Sequence, residues 1–351
     1  MQIFDRMSRH EHEQLVLWNE PKLGYRGIVA VHDTTLGPAL GGTRFWNYGT
    51  DEEAIIDALR LARGMTYKAA ITGLNLGGGK SVIIGNNRTN DREMIFRAHG
   101  RAVESLKGRY ITAEDVGTSV DDMEFVKMET DHVAGLLGRS GDPSPVTAHG
   151  VYKGIKACAK ERYGDDSLDG KHVAVQGLGH VGHYLCQYLT EDGARLTVTD
   201  IRPERVAAVT TEFGAESVSP DDIYGVDAEI FAPCALGAVV NDDTLKVFKY
   251  AVIAGAANNQ LAQARHGQEL HQKSILYAPD YVINAGGLVN VYGELQGWDP
   301  ERSKRKAGDI YNTLLRIFKL SGDENVPTSE AADRVAESRL REARQLQKSW
   351  V

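Results

Sequence analysis

Cysteine is scarce in this sequence of 351 residues. The three cysteines, Cys158, Cys186 and Cys234, are widely spaced and odd in number. This excludes a disulfide-rich scaffold, and none of the three has the spacing of a metal-ligand set. We therefore expect reduced thiols in a cytoplasmic protein.

The sequence also lacks an excess of basic residues and any long apolar run. Its 40 Lys and Arg residues against 48 Asp and Glu residues give a net charge of −8, which disfavours a nucleic-acid surface. No apolar run is long enough to cross a membrane, and the first residues lack the basic and apolar regions of a secretory signal. We expect neither nucleic acid nor membrane as a partner.

The first part of the chain mixes strand and helix patterns. Residues 27–33 and 80–85 are rich in β-branched side chains and predict strands. Residues 50–65 predict a helix that begins with Thr50 and Glu53 in the S/T-x-x-E capping arrangement. The segment 138–150 is rich in Gly, Pro and Ser, which is typical of a linker. We therefore place a first domain at residues 1–137.

After the linker, short β-rich segments alternate regularly with helical ones. This alternation predicts a parallel sheet with both faces covered by helices. The second domain is placed at residues 138–325, and the helical, charge-rich C-terminal residues 326–351 are expected to pack back onto the first domain or onto a neighbouring subunit. The predicted class is α/β with two domains, the second of the Rossmann type.

A glycine motif opens the second domain. Residues 177–182 read G-L-G-H-V-G, directly after a predicted strand and at the start of a predicted helix. In that context Gly177 allows a tight turn, Gly179 lets the backbone approach a pyrophosphate, and Gly182 brings helix and strand together. The motif predicts a dinucleotide cofactor.

The choice between NAD and NADP depends on the end of the next predicted strand. Asp200 lies there, where a carboxylate accepts hydrogen bonds from the ribose hydroxyls and repels a 2′-phosphate. Arg202 weakens this prediction, because a nearby guanidinium can accommodate that phosphate. NAD is the predicted cofactor.

Two lysines stand in an otherwise small and apolar stretch, residues 67–85. Gly79, Lys80 and Ser81 resemble the end of a phosphate loop, but Leu74 occupies the position of its first glycine. A second interpretation places Lys68 and Lys80 at the surface beside a Gly-rich turn. A third assigns them to a reaction on a small substrate, one lysine binding an anion and the other moving a proton.

Nine ordered motifs resemble those of the NAD-dependent amino-acid dehydrogenases, the leucine, phenylalanine and valine dehydrogenases, and the leucine enzymes most. They are GPALGGTR, GMTYK, GGGK, TAEDVGT, SPVT, GLGHVG, FAPCALG, AGAANNQL and INAGGLVNVY, and they extend over most of the chain. The resemblance implies two domains around a deep cleft, with the chemistry in the first and NAD in the second. It also implies reversible oxidative deamination of an L-amino acid to the 2-oxo acid and ammonia by a homo-oligomer, a dimer or an octamer.

The resemblance further implies roles for individual residues. Lys68 would hold the substrate carboxylate, Lys80 would act as the general base that activates water, and Asp115 would meet the amino group and relay protons. The sequence alone leaves Glu114 as an alternative to Asp115. The other implied substrate contacts are Gly41, Gly42 and Asn259, with a side-chain pocket of Leu40, Met65, Ala113, Leu288 and Val291. The implied cofactor contacts are Thr147 in the linker, Gly177, Leu178, Gly179, His180, Val181, Gly182, Asp200, Ile201, Ala235 and Asn284.

General-base chemistry requires a lowered pKa at Lys80. A fall from ~10.4 to ~8 corresponds to roughly 3 kcal/mol. Burial and the neighbouring positive charge of Lys68 would both act in that direction. Lys68 itself must stay charged to bind a carboxylate.

The implied pocket is apolar, so burying an acidic substrate in it would be costly. Ala113 resembles the leucine enzymes, whereas Leu288 resembles the phenylalanine enzymes. We predict leucine and other branched-chain substrates, with phenylalanine or tryptophan as the alternative. A non-catalytic NAD-binding regulatory protein is the alternative from another class. His149, His180 and His183 lack accompanying carboxylate or Cys ligands, so no metal is predicted.

Overall fold

A computed structural model describes residues 2–139 and 142–348. The chain divides into two compact units. The first is built from the described residues of Met1–Gly141, Glu294–Gly297 and Ala336–Val351, and the second from Asp142–Gly293 and Trp298–Val335. Each unit is an α/β structure with its own sheet. The predicted fold class is confirmed.

The first unit is organised around a five-stranded mixed sheet. Its strand order is β1-β2-β4-β3-β5, with β1, β2 and β4 antiparallel in turn and β3 parallel to both β4 and β5. Its elements in chain order are α1 (Ile3–Arg9), β1 (Gln14–Glu20), β2 (Tyr25–Asp33), β3 (Ala39–Trp46), α2 (Asp51–Ile71), β4 (Gly77–Ile84), α3 (Arg92–Glu104), β5 (Tyr110–Glu114) and α4 (Val120–Lys127).

Helix α2 covers one face of this sheet. The Thr50 side chain accepts a hydrogen bond from the Glu53 backbone N–H, which satisfies one of the free donors at the helix start. Its buried residues include Ala54, Ile55 and Ala58, which pack with Val82 of β4. The helix continues to Ile71, past the predicted end at residue 65, so Met65 and Lys68 are helical.

Helices α3 and α4 cover the opposite face. An apolar cluster there contains Phe45, Ile83 and Phe96. A buried polar network lies beside it, in which the Thr43 Oγ1 contacts the Nε2 of His99 at 2.9 Å and the Oγ of Ser81 at 2.8 Å. Thr43 and Ser81 therefore face α3, and alternation along the strands places Arg44 and Lys80 on the α2 face.

The second unit contains a six-stranded parallel sheet. Its order, β11-β10-β9-β6-β7-β8, is that of a Rossmann fold. The strands in chain order are β6 (His172–Gln176), β7 (Arg195–Thr199), β8 (Glu216–Ser217), β9 (Ile230–Pro233), β10 (Val252–Ile253) and β11 (Leu276–Tyr277). The predicted parallel sheet is confirmed.

Helices separate these strands and complete the chain. They are α5 (Ser144–Tyr163), α6 (His180–Glu191), α7 (Pro203–Phe213), α8 (Thr244–Val247), α9 (Arg265–Gln272), α10 (Asp280–Ile283), α11 (Gly286–Leu295), α12 (Pro300–Gly308), α13 (Ile310–Glu324) and α14 (Thr328–Lys348). Among the described helices, none combines the length and the apolar character that a membrane span requires.

The end of α14 contacts α2 within the first unit. The Arg339 guanidinium donates to the backbone carbonyl of Ala70 at 2.9 Å, and the Tyr67 hydroxyl donates to Glu337 at 2.8 Å. These contacts hold the part of α2 that carries Lys68.

Helix α5 corrects the linker prediction. The helix begins at Ser144, with a proline in its first turn, where the missing N–H is not needed. Thr147 therefore lies in the first turn of a helix and not in a loop, and its hydroxyl donates to the Pro143 carbonyl at 2.9 Å.

Candidate active site

Lys80 lies on a strand and is almost completely buried, with 4% of its surface exposed. The three glycines before it belong to the same strand, β4, and do not form a loop. Both the phosphate-loop and the surface interpretations of Lys80 are therefore wrong. The glycines are required by packing: a Cβ on Gly78 would lie 2.1 Å from the backbone nitrogen of Thr66 on α2.

The buried ammonium of Lys80 is paired with Asp115. The Lys80 Nζ lies 2.9 Å from the Asp115 Oδ2, and the Arg44 Nε lies 3.1 Å from the same oxygen. Lys80 lies on β4, Arg44 lies on β3, and Asp115 directly follows β5. The first unit thus brings together two cations and one carboxylate beside its parallel strands β4, β3 and β5.

Asp115 is fixed by the turn that follows β5. Its backbone N–H donates to the Thr118 hydroxyl at 2.9 Å, and that hydroxyl donates to the Thr43 carbonyl at 3.1 Å. Farther along, the Arg92 guanidinium donates to the Gly117 carbonyl at 3.0 Å. The neighbouring Glu114 points away and is exposed, so of the two acids it is Asp115 that contacts Lys80.

The pKa of Lys80 and the pKa of Asp115 are both below their ordinary values. Burial lowers the pKa of Lys80, and the positive charge of Arg44 adds to this effect, while the ion pair with Asp115 opposes it. Burial raises the pKa of Asp115, but Lys80 and Arg44 outweigh burial, so the carboxyl pKa falls below its usual range. Asp115 is therefore ionised at neutral pH, whereas the equilibrium of Lys80 is shifted toward the neutral amine.

The remaining site residues predicted in the first unit lie around this pair. Leu40 of β3 and Ala113 of β5 are buried, at 3% and 8% exposure, and strand alternation places both on the α2 face with Lys80. Met65 and Lys68 are half-buried on α2, which covers that face.

Gly41 and Gly42 occupy positions that exclude any side chain. A Cβ on Gly41 would lie 1.8 Å from the Gly79 carbonyl oxygen, and a Cβ on Gly42 would lie 2.4 Å from the Glu114 carbonyl oxygen. The Tyr110 hydroxyl donates to the Gly41 carbonyl at 2.5 Å. Close packing within the sheet accounts for both glycines.

The glycine motif of the second unit has the geometry of a dinucleotide site. Gly177 follows β6 with a φ of +95°, which favours glycine, and a Cβ on Gly182 would lie 2.0 Å from the Gly177 carbonyl oxygen. Gly179 precedes α6, and the nearest atom to a Cβ there would be the Nη1 of Arg205, at 3.8 Å. The space beside Gly179 and the free amides of the first turn of α6, from His180, Val181 and Gly182, fit a pyrophosphate.

Asp200 directly follows β7 and is held against the glycine loop. Its Oδ2 accepts a hydrogen bond from the Leu178 N–H at 2.7 Å, and its Oδ1 accepts one from the Arg202 N–H at 2.9 Å. The cation beside this carboxylate is Arg205 of α7, whose Nη1 lies 3.7 Å from the Oδ2. Arg205 had no role in the sequence-based prediction, because no residue of the motif marks its position three residues after Arg202.

The other predicted cofactor and substrate residues of the second unit lie in varied settings. The amide nitrogen of Asn284 donates to Asn258 at 2.7 Å, and Ile201 is 83% exposed beside Asp200. Gly287 lies next to Thr147, since a Cβ on it would be 3.3 Å from the Thr147 Oγ1. His180 and Ala235 are exposed, Val181 and Val291 are half-buried, Leu288 is buried on α11, and Asn259 is exposed with a φ of +52°.

The histidines of the second unit have separate partners. His180 lies 3.5 Å from Asp142 and His183 lies 2.9 Å from Glu212. One group with metal-ligand spacing, Asp242, His266 and Glu269, lies elsewhere, but the Arg265 guanidinium contacts both of its carboxylates. Burial raises the pKa of Cys234 to about 12, so its thiol is not a nucleophile at neutral pH.

Comparison with known families covers both units. Residues 12–132 match the model described as "Glu/Leu/Phe/Val dehydrogenase, dimerisation domain". Residues 138–203 and 197–347 match the model described as "Glutamate/Leucine/Phenylalanine/Valine dehydrogenase". Together the two models account for most of the sequence.

Individual relatives are similar over almost their whole length. The chain is 54% identical to the leucine dehydrogenase of Geobacillus stearothermophilus over 354 residues, covering 100% of this chain and 96% of that protein. It is 48% identical to the L-tryptophan dehydrogenase of Nostoc punctiforme over 343 residues, covering 97% and 96%. The crystal structure of L-tryptophan dehydrogenase from Nostoc punctiforme superposes with a TM-score of 0.90 at 46% identity, covering 97% of this chain and 99% of that one.

Proposed function

Because the chain belongs to the glutamate/leucine/phenylalanine/valine dehydrogenase family, we propose that it deaminates L-leucine and other branched-chain L-amino acids oxidatively, with NAD. The chain is an amino-acid dehydrogenase, an oxidoreductase that acts on CH–NH2 groups with a pyridine nucleotide. The products are the 2-oxo acid and ammonia, and the reaction is reversible. The observation that carries the proposal is the buried ion pair between Lys80 and Asp115, at 2.9 Å.

This pair supplies the proton transfers that deamination needs. A nicotinamide cofactor held at the glycine motif, Gly177 to Gly182, would supply the acceptor for the hydride from the Cα of the substrate. Water must then add to the resulting carbon–nitrogen double bond, and neutral Lys80 takes the proton of that water. Ionised Asp115 accepts hydrogen bonds from the amino group and relays its protons. Lys68 keeps its charge and binds the substrate carboxylate.

NAD is the proposed cofactor because of Asp200. Its carboxylate is already fixed by the amides of Leu178 and Arg202, at 2.7 and 2.9 Å. A 2′-phosphate placed beside it would be repelled. Arg205 opposes this effect, but at 3.7 Å it is itself partly neutralised by Asp200.

An apolar substrate is proposed because of the residues on the face that carries Lys80. Leu40 and Ala113 are apolar and buried there. A carboxylate on the side chain of the substrate would lack a partner beside them. Identity of 54% to a leucine dehydrogenase supports leucine. Tryptophan or phenylalanine is the second candidate, supported by 48% identity to a tryptophan dehydrogenase and by Leu288.

A homo-oligomer, a dimer or an octamer, is proposed as the working form. The family description of residues 12–132 as a dimerisation domain supports it. The free thiols of Cys158, Cys186 and Cys234 support the cytoplasm as its location. Light scattering on the purified chain would give the number of subunits.

The test of the proposed function is a substrate panel with both cofactors. Formation of reduced nicotinamide is followed with L-leucine, L-valine, L-isoleucine, L-phenylalanine, L-tryptophan and L-glutamate. We expect the highest kcat/KM for leucine with NAD and no measurable turnover of glutamate. Cofactor binding without turnover of any amino acid would instead support the non-catalytic regulatory protein.

A further inference from the structure

We propose that Arg44 is a positioning residue for the deamination reaction: its guanidinium holds the Asp115 carboxylate so that one oxygen is left for the substrate's amino group. The inference rests on the proposed function and deepens it. Arg44 lies in the GPALGGTR motif, where it had no predicted role. It does not itself touch the reacting atoms in this proposal.

The contacts of Asp115 are concentrated on one of its two oxygens. Both the Arg44 Nε, at 3.1 Å, and the Lys80 Nζ, at 2.9 Å, contact Oδ2. Among residues 2–139 and 142–348, no hydrogen bond is made to the Asp115 Oδ1, and the ion-pair contact of each cation is to Oδ2. An ionised carboxylate held at one oxygen by two cations can still accept hydrogen bonds at the other.

Arg44 is itself held from its other side. Its Nη1 donates to the Asp57 Oδ2 at 2.8 Å, and the Tyr48 hydroxyl donates to the same oxygen at 2.7 Å. Asp57 lies on α2 and Tyr48 in the loop after β3, so the helix contacts the guanidinium and the loop holds the helix carboxylate in place. A planar guanidinium can contact two carboxylates in fixed directions, which a lysine ammonium does not reproduce.

The charges around Lys80 and Asp115 determine the effect of Arg44 on the reaction's pH dependence. Asp57 of α2 raises the pKa of Lys80, whereas Arg44 of β3 lowers it. Burial raises the pKa values of Glu114 and Tyr110 of β5, and the charge of Asp115 acts in the same direction. Removing the charge of Arg44 therefore takes away one of the influences that lower the pKa of Lys80, so we expect that pKa to rise.

The experiment compares Arg44→Met, Arg44→Lys and a matched control, Arg26→Met. Arg26 also lies on a strand of the sheet and pairs with a carboxylate of α2, Asp51 at 3.3 Å, but it has no contact with Asp115. The pH profiles of kcat and kcat/KM for leucine are measured, together with thermal unfolding.

For Arg44→Met we expect the pH at which kcat rises to move upward. We also expect kcat to fall by about 10- to 100-fold, because a small misplacement of a reacting group costs up to about 10²-fold. For Arg44→Lys we expect kcat to rise at nearly the same pH as in the wild type. Its maximal kcat should lie between those of Arg44→Met and the wild type. Arg26→Met should resemble the wild type in both profiles.

A further variant keeps the proposal testable if Arg44→Met does not fold. Asp57→Asn retains the shape of its side chain but removes a charge that raises the pKa of Lys80, so its kcat limb should move downward. The positioning role would be overturned if the wild type is active and the pH at which kcat rises is unchanged in a folded Arg44→Met. The same outcome in Asp57→Asn would also overturn it. A wild type that turns over no amino acid would instead overturn the proposed function.

Discussion

A Cβ on Gly42 would lie 2.8 Å from the Cβ of Asp115. Side-chain carbons do not approach so closely, and the Glu114 carbonyl oxygen lies at 2.4 Å from the same point. The β3 backbone at Gly42 is thus the surface against which the end of β5 packs. The position of the Asp115 carboxylate depends on the absence of a side chain there.

Gly42→Ala should therefore reduce catalysis more than stability. The end of β5 must shift to admit a methyl group, which displaces Asp115, and we expect kcat to fall by roughly 10²-fold. Gly64→Ala is the matched control, since nothing lies within 4 Å of a Cβ at that position on α2. It should keep full activity and gain about 0.5–1 kcal/mol from improved helix propensity. Equal activity of the two variants would contradict the account of Gly42.

Replacing either of the two lysines of residues 67–85 should impair deamination, but the two replacements should change different kinetic constants. Lys80→Met removes the proposed base, so kcat should fall by roughly 10²–10⁴-fold with a smaller change in substrate KM. Lys68→Met removes the proposed charged contact to the substrate carboxylate, so the substrate KM should rise more than kcat falls. Steady-state kinetics with leucine and saturating NAD distinguish the two. The assignment would be wrong if Lys80→Met retained near-normal kcat.

The pH profile of the wild type should have a defined direction. In the proposed mechanism the neutral amine of Lys80 is the active form, and burial lowers the pKa of Lys80 from the ordinary value of 10.5. Deamination should therefore accelerate as pH rises through that lowered pKa and level off above it. In Lys80→Met the residual kcat should lack this rise. The measurement is kcat against pH with leucine at saturation.

Much of this site is predictable from the sequence, because its signals are local. The Gly177 turn and the strand before it follow from glycine spacing and β-branched residues, and the structure confirms both. Lys80 and Asp115 were predicted only through a resemblance, since nothing local indicates that residues 35 positions apart form an ion pair.

The residues that the sequence did not reveal act through tertiary contacts. Arg44 approaches Asp115 and Asp57 because β3 lies between β4 and β5 in the sheet. This strand order cannot be read from the sequence. Arg205 reaches Asp200 from the first turn of α7. The start of α5 was missed because Gly, Pro and Ser are typical of loops, whereas Pro145 lies in the first turn, where proline suits a helix.

The choice of cofactor should depend on the pair Asp200 and Arg205. Asp200→Asn keeps the shape of the side chain but removes the charge that pairs with Arg205 and that, in the proposed function, repels a 2′-phosphate. We expect the ratio of kcat/KM for NADP to that for NAD to rise by roughly 10- to 100-fold, the worth of one hydrogen bond to a charged group. Adding Arg205→Gln should remove most of this gain. A double variant that keeps the full gain would exclude Arg205 as the phosphate contact.

Substrate choice should respond to Ala113, on the α2 face of β5. Ala113→Gly removes one methyl group from the proposed pocket and should favour phenylalanine over leucine, because one such group changes discrimination by about 1–3 kcal/mol, or 10- to 200-fold. The control is Ala39→Gly, a buried strand alanine that packs with Tyr110 and Val103 on the opposite face. It introduces glycine into a strand at the same cost in backbone entropy but leaves the proposed pocket unchanged. Its ratio of kcat/KM for leucine to kcat/KM for phenylalanine should therefore stay unchanged. If both variants kept the wild-type ratio, the substrate side chain would lie elsewhere than against Ala113.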